Sequence, residues 1–131
     1  MKEAMKEAVK LVLALAAGTI IGAWGIPMLR AQTAAHPAYV VAEVHVTDPA
    51  GFMNYAKQVP ASLAPYHGKT LARALPDVRE GPPANGDIVV IGFDSLQDAN
   101  RWYQSPEYSK LIPLRQQSAT TRVMIVDGLA Q

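Results

Sequence analysis

Glu43 and His45 lie two positions apart in "AYVVAEVHV", a run rich in β-branched residues. On a strand such neighbours project from the same face. A carboxylate beside an imidazole is a pair that can move protons near neutrality, where histidine titrates. Arg73, inside "KTLARALPDV", adds a guanidinium that could hold developing negative charge on a substrate. Glu43, His45 and Arg73 are therefore the candidate catalytic residues. A plainer alternative stays open, in which Glu43 and Arg73 neutralise one another and His45 sits at the rim of the fold.

A second group surrounds the segment "RWYQSPEYSKLIPLR". Ser105 before Pro106 has the form of a helix N-cap followed by proline in the first turn, and Glu107 adds a favourable negative charge there. Capping leaves Trp102, Tyr108 and Arg115 unexplained. Together with Tyr55 from the first helix they could line an apolar ligand pocket, or they could fill the core over a sheet. The spacing fits both.

Other chemistries find little support. The chain has no cysteine, which removes thiol catalysis and thiolate metal sites. No pair of histidines or acids shows i, i+4 ligand spacing within one expected helix, and neither a G-x-S-x-G elbow nor a glycine-rich phosphate loop is present. His67 ends the first helix, where a cation suits the helix dipole, and His36 precedes the first strand. No metal or cofactor is expected. Haem binding is kept as a third reading, and it would need an axial ligand facing an apolar pocket. Ser62, Ser95, Ser105, Ser109 and Ser118 read as helix-end or polar-face residues, not nucleophiles.

The elements that must position these side chains follow from hydrophobic period and turn residues. Residues 38–46 alternate as a strand, with Val40, Ala42, Val44 and Val46 on one face and Tyr39, Val41, Glu43 and His45 on the other. "TDPAGF" starts a helix carrying Phe52, Tyr55, Val59 and Leu63, which Pro60 should kink or restart and Gly68 should end. "KTLARALPDV" is a second strand, "EGPPANGD" a hairpin loop, "DIVVIGF" a third strand and "TRVMIVDG" a fourth. A helix capped by Asp94 or Ser95, then broken at Ser105, lies between the last two. The order βαββαβ is the α+β ferredoxin-like arrangement, a four-stranded antiparallel sheet with its helices on one face. Strands three and four are apolar on both faces, so the uncovered face calls for a second copy of the chain.

These segments carry a family resemblance. "AYVVAEVHVTDPAGFMNYAKQVPASLAPYHGKTLAR" with "DIVVIGFDSLQDANRWYQSPEYSKLIPLRQQSATTRVMIVDG" closely resembles the domain of unknown function 1330 family, of the dimeric α+β barrel superfamily. The resemblance implies a ferredoxin-like subunit pairing sheet to sheet in a homodimer. Relatives in that superfamily include monooxygenases that use no cofactor, haem-degrading enzymes, isomerases and proteins with no shown activity, so fold does not choose a function. The expectation is a small-molecule-binding dimeric barrel, with cofactor-independent oxygenation or isomerisation as its enzymatic form and a non-catalytic binding or structural module as the alternative.

Residues 1–35 stand apart from this domain. No charged residue occurs over residues 11–29, Lys2, Lys6 and Lys10 precede that run, and small residues follow Arg30. This is the pattern of a secretory signal cleaved near residues 31–38, or of a retained membrane anchor. Either places residues 36–131 outside the cytoplasm, periplasmic or secreted in the first case. That part carries eight Lys and Arg against nine Asp and Glu, and such a near-neutral domain has no electrostatic footprint for nucleic acid.

Overall fold

The computed structural model describes residues 36–131; the expected leader over residues 1–35 lies outside them. Strand β1 (Ala38–Val46) is followed by helices α1 (Pro49–Ala56) and α2 (Val59–Leu63) and a 3-10 turn (Ala64–Tyr66). Then come β2 (Lys69–Ala74), β3 (Asp87–Phe93), helices α3 (Leu96–Tyr103), α4 (Pro106–Ser109) and α5 (Ile112–Ser118), and β4 (Ala119–Asp127). The sheet order is β2-β3-β1-β4 and every pairing is antiparallel. This is the ferredoxin-like α+β arrangement expected from the sequence. No helix among the described residues is long and apolar enough to cross a membrane.

The first helical stretch breaks where proline demands it. The chain leaves α1 at Lys57 and restarts at Val59 with Pro60 in the first turn of α2, where its missing N–H costs nothing. His67 closes the 3-10 turn in the left-handed region at φ 57°, taking the helix-ending role expected of Gly68. The second helical stretch breaks twice. Ser95 caps α3 by accepting from the Asp98 N–H at 3.0 Å, and Ser105 caps α4 by accepting from the Tyr108 N–H at 3.1 Å. Asp48 occupies the cap position of α1 without a side-chain cap bond.

Strand β2 is shorter than "KTLARALPDV", ending at Ala74, so residues 75–86 form a connection longer than the expected loop "EGPPANGD". Gly86 ends that connection at φ 104°. A Cβ there would collide with the carbonyl oxygen of Val44, so both its dihedral and its close approach to β1 require glycine.

Register decides what each sheet face carries. Val40 lies opposite Ile91 and Ile125, and Ala42 opposite Val89 and Val123; these side chains meet the helices. The core is continuous from Val40 and Val44 through Phe52 and Leu63 to Phe93, Trp102 and Leu111. On the other face Val41 lies between Val90 and Met124, and Tyr39 between Gly92 and Val126. Leu71, the extra residue of a bulge between Thr70 and Ala72, leans over Gly92 on this face. Leu71 is 58%, Met124 37% and Val126 49% exposed.

Candidate functional site

Between the helix-facing side of the sheet and helices α1–α5 lies a cavity of about 200 Å³ with an open mouth. Val40, Val44 and Ile91 form its floor, while Tyr55, Trp102, Tyr108 and Arg115 form the opposite wall. Helix breaks bring that wall together. Trp102 lies in the last turn of α3, Tyr108 in α4 and Arg115 in α5, and all three are buried.

The wall is tied by specific polar contacts. Arg115 donates from Nη1 to the Tyr108 hydroxyl at 2.7 Å, and that hydroxyl lies 2.9 Å from the hydroxyl of Tyr55. Trp102 stacks on Tyr108 with ring centroids 3.9 Å apart, and its Nε1–H donates to Ser62 Oγ at 3.0 Å. Ser62 in turn donates to the Val59 carbonyl at 2.7 Å. The serine therefore satisfies a buried indole, contrary to its expected place on a polar face. Its spacing of seven from Tyr55, which puts both on one helical stripe, was the available signal.

Arg115 is 5% exposed. No carboxylate pairs with it among the described residues, and its buried Nε has no hydrogen-bond partner. Burial works to lower its pKa, but the oxygens of Tyr108, Tyr103 and Tyr55 outweigh it and the net direction is upward. The guanidinium is charged. Tyr108 moves the same way: burial, then Tyr55, pushes its phenol well above the ordinary range against the opposing pull of Arg115. It is a neutral hydroxyl, able to donate or accept a hydrogen bond but not to act as a base.

The expected catalytic trio does not come together. Val40, Ala42 and Val44 line the cavity, so Glu43 and His45 project from the opposite face, where Glu43 lies across from Ile88 and Arg122. Arg73 lies opposite Val89 on the helix side and reaches the cavity mouth. It does not pair with Glu43: its Nε lies 3.6 Å from Asp87, and its guanidinium covers the Phe52 ring at 5.1 Å. The bulge at Leu71 explains the separation, because one extra residue reverses which face the rest of β2 presents. The four expected pocket residues, Tyr55, Trp102, Tyr108 and Arg115, all line one cavity.

No histidine lines the cavity, so it offers haem no axial imidazole. Away from it, His67, Asp94 and Asp98 bring ligand-type atoms within 4.8 Å of one another, a grouping of which sequence shows only the four-residue spacing of the two aspartates. Arg101 already engages Asp98 at 3.7 Å there.

The sequence pattern of the family described as a domain of unknown function, DUF1330, matches residues 37–129. The chain belongs to the DUF1330 family. No curated protein matches it. Among solved structures it is similar to a protein of unknown function from Rhodopseudomonas palustris, at 15% identity and a TM-score of 0.57, over 81% of this chain and 92% of that one. It is also similar to SnoaB, a cofactor-independent oxygenase from Streptomyces nogalater, at 16% identity and a TM-score of 0.53, over 74% of this chain and 97% of that one. Such identities establish a shared fold for this DUF1330 domain and leave its chemistry to its own residues.

Proposed function

We propose that this DUF1330 protein binds a small, largely apolar organic molecule in the cavity between sheet and helices. The observation that carries this reading is the convergence of an apolar floor with Tyr55, Trp102, Tyr108 and a buried Arg115 on one open-mouthed space. Apolar walls with a few convergent polar groups are the usual make-up of a ligand site. Catalysis in the manner of a cofactor-independent oxygenase or isomerase is the second reading. It would call for a group to take a proton from the substrate, and no Asp, Glu or His lines the cavity. Binding is therefore placed first.

The functional unit in this reading is a homodimer, with the apolar face of Val41, Val90, Met124 and Leu71 packed against its counterpart. Its place is outside the cytoplasm, reached through a cleaved leader or held there by an anchor, on the strength of the uncharged run over residues 11–29. Native mass spectrometry of protein from its own export compartment tests oligomer, processing and bound molecule together. Binding of single-ring aromatics should shift the NMR signal of the Trp102 indole N–H. A panel of such compounds that leaves this signal in place would overturn the site.

A further inference from the structure

The hydrogen-bond count of the cavity wall does not close. The Tyr55 and Tyr108 hydroxyls carry two protons between them, and one is used in their mutual contact. If Tyr108 donates to Tyr55, the Tyr55 proton has no acceptor among the described residues. If Tyr55 donates instead, Tyr108 accepts twice, from Tyr55 and from Arg115, and its own proton is left over. In either arrangement one phenolic proton and the Arg115 Nε–H lack acceptors. Donors are in surplus at one end of an otherwise apolar space.

The charge count leans the same way. Two guanidinium groups line the cavity and no carboxylate does. Arg73 is half-exposed and balanced by Asp87, whereas Arg115 is buried without a counter-ion among the described residues. An uncompensated buried charge is among the costlier features a fold can hold. Such a cation is relieved when an anion enters beside it, and charge-assisted hydrogen bonds are the strong ones.

We infer that the occupant of this cavity is a monoanion: one ring bearing a carboxylate or phenolate oxygen, seated with that oxygen at Arg115 and the tyrosine pair. The ring lies between Trp102 and the valine floor. Size agrees, since an apolar cavity of roughly 150 Å³ accepts benzene and this one is about 200 Å³. The inference rests on the cavity being a ligand site and adds the charge of what enters it.

The test is calorimetric titration of the full-length protein at neutral pH with benzoate and with benzamide, which match in shape and differ in charge. Benzoate should bind at least about tenfold more tightly, a margin of about 1.4 kcal/mol. Arg115→Met should abolish that margin, bringing benzoate affinity down to that of benzamide in the same variant, and Tyr55→Phe should narrow it. Equal affinities in the wild type would overturn the anion inference and leave the binding function standing. Failure of both compounds to bind would overturn both. A margin that survives Arg115→Met would remove Arg115 from its assigned part. The wild-type comparison decides the question even if the Arg115 variant does not fold.

Discussion

Tyr55 and Tyr108, on helices far apart in sequence, meet hydroxyl to hydroxyl at 2.9 Å, and Arg115 reaches the same Tyr108 oxygen from its other side. Tyr108 is thus the middle member of a buried chain. Tyr108→Phe keeps the ring stacked on Trp102 but strips Arg115 Nη1 of its acceptor and Tyr55 of its partner. The expected loss is about 1–3 kcal/mol in denaturant unfolding, the cost of leaving buried polar groups unsatisfied. Tyr55→Phe should cost less, because the Arg115 contact survives it.

The raised pKa of Tyr108 fixes the sign of a pH effect. An unfolded tyrosine ionises near about 10, while the folded Tyr108 keeps its proton beyond that point. The folded state then binds more protons, so stability is fully present below about pH 10 and falls as pH rises above it. Unfolding measured across the alkaline range should show this decline in the wild type and a shallower one in Tyr108→Phe.

Ser62 and Trp102 form a second buried pair. Ser62→Ala strands the indole N–H and should cost about 1–3 kcal/mol. Combining it with Trp102→Phe should give less than the sum of the single losses, because phenylalanine brings no N–H to satisfy. A double-mutant cycle by thermal or chemical unfolding measures that coupling.

Two backbone positions separate capping from ligand binding. Ser105→Ala removes the α4 cap and should lower stability by about 1 kcal/mol while leaving ligand affinity of the folded protein intact. Gly86→Ala combines a positive φ with a clash against Val44 and should cost more than about 1 kcal/mol. Both are read from unfolding midpoints alongside calorimetric binding.

Val90 tests the second face of the sheet. Val90→Asp places a charge in the middle of the apolar surface between Val41 and its neighbours, and should turn a sedimenting dimer into a monomer at micromolar concentration, since burying an unpaired carboxylate is costly. Val89→Ala, which widens the helix-side cavity, should leave the dimer in place. A wild-type protein that sediments as a monomer would remove the barrel from the proposal.

Period and turn chemistry carried the topology well, because Ser95, Ser105, Pro60 and Gly86 each mark a boundary for a local reason. The same locality exposed Trp102, Tyr108 and Arg115 as residues that capping did not account for. What sequence could not show was which face of β1 meets the helices, since Val40 and Val44 on one side look much like Tyr39 and Val41 on the other. Sequence therefore leaves open whether Glu43 and His45 face a cavity or the far side of the sheet. The bulge at Leu71 was equally hidden, being a matter of pairing between β2 and β3 and not of any residue signal in β2 itself. Ser62 has no legible role in sequence because a helical serine ordinarily reads as solvated, and its partner Trp102 lies in a distant segment.

On one unbroken helix Trp102 and Tyr108 would stand about 120° apart around the axis, while Tyr108 and Arg115 would nearly eclipse. The interruption at Ser105 and Pro106 brings the tryptophan into line with the other two. Wall and floor of the cavity are consequently governed by separate parts of the chain: the floor by strand pairing, the wall by the lengths of short helical pieces. Adding or removing a residue at Gln104 would change how Tyr108 faces Trp102, while Arg115, on the helix that runs straight into β4, stays tied to the sheet. A scaffold so divided can be refitted to a differently shaped guest by editing one joint.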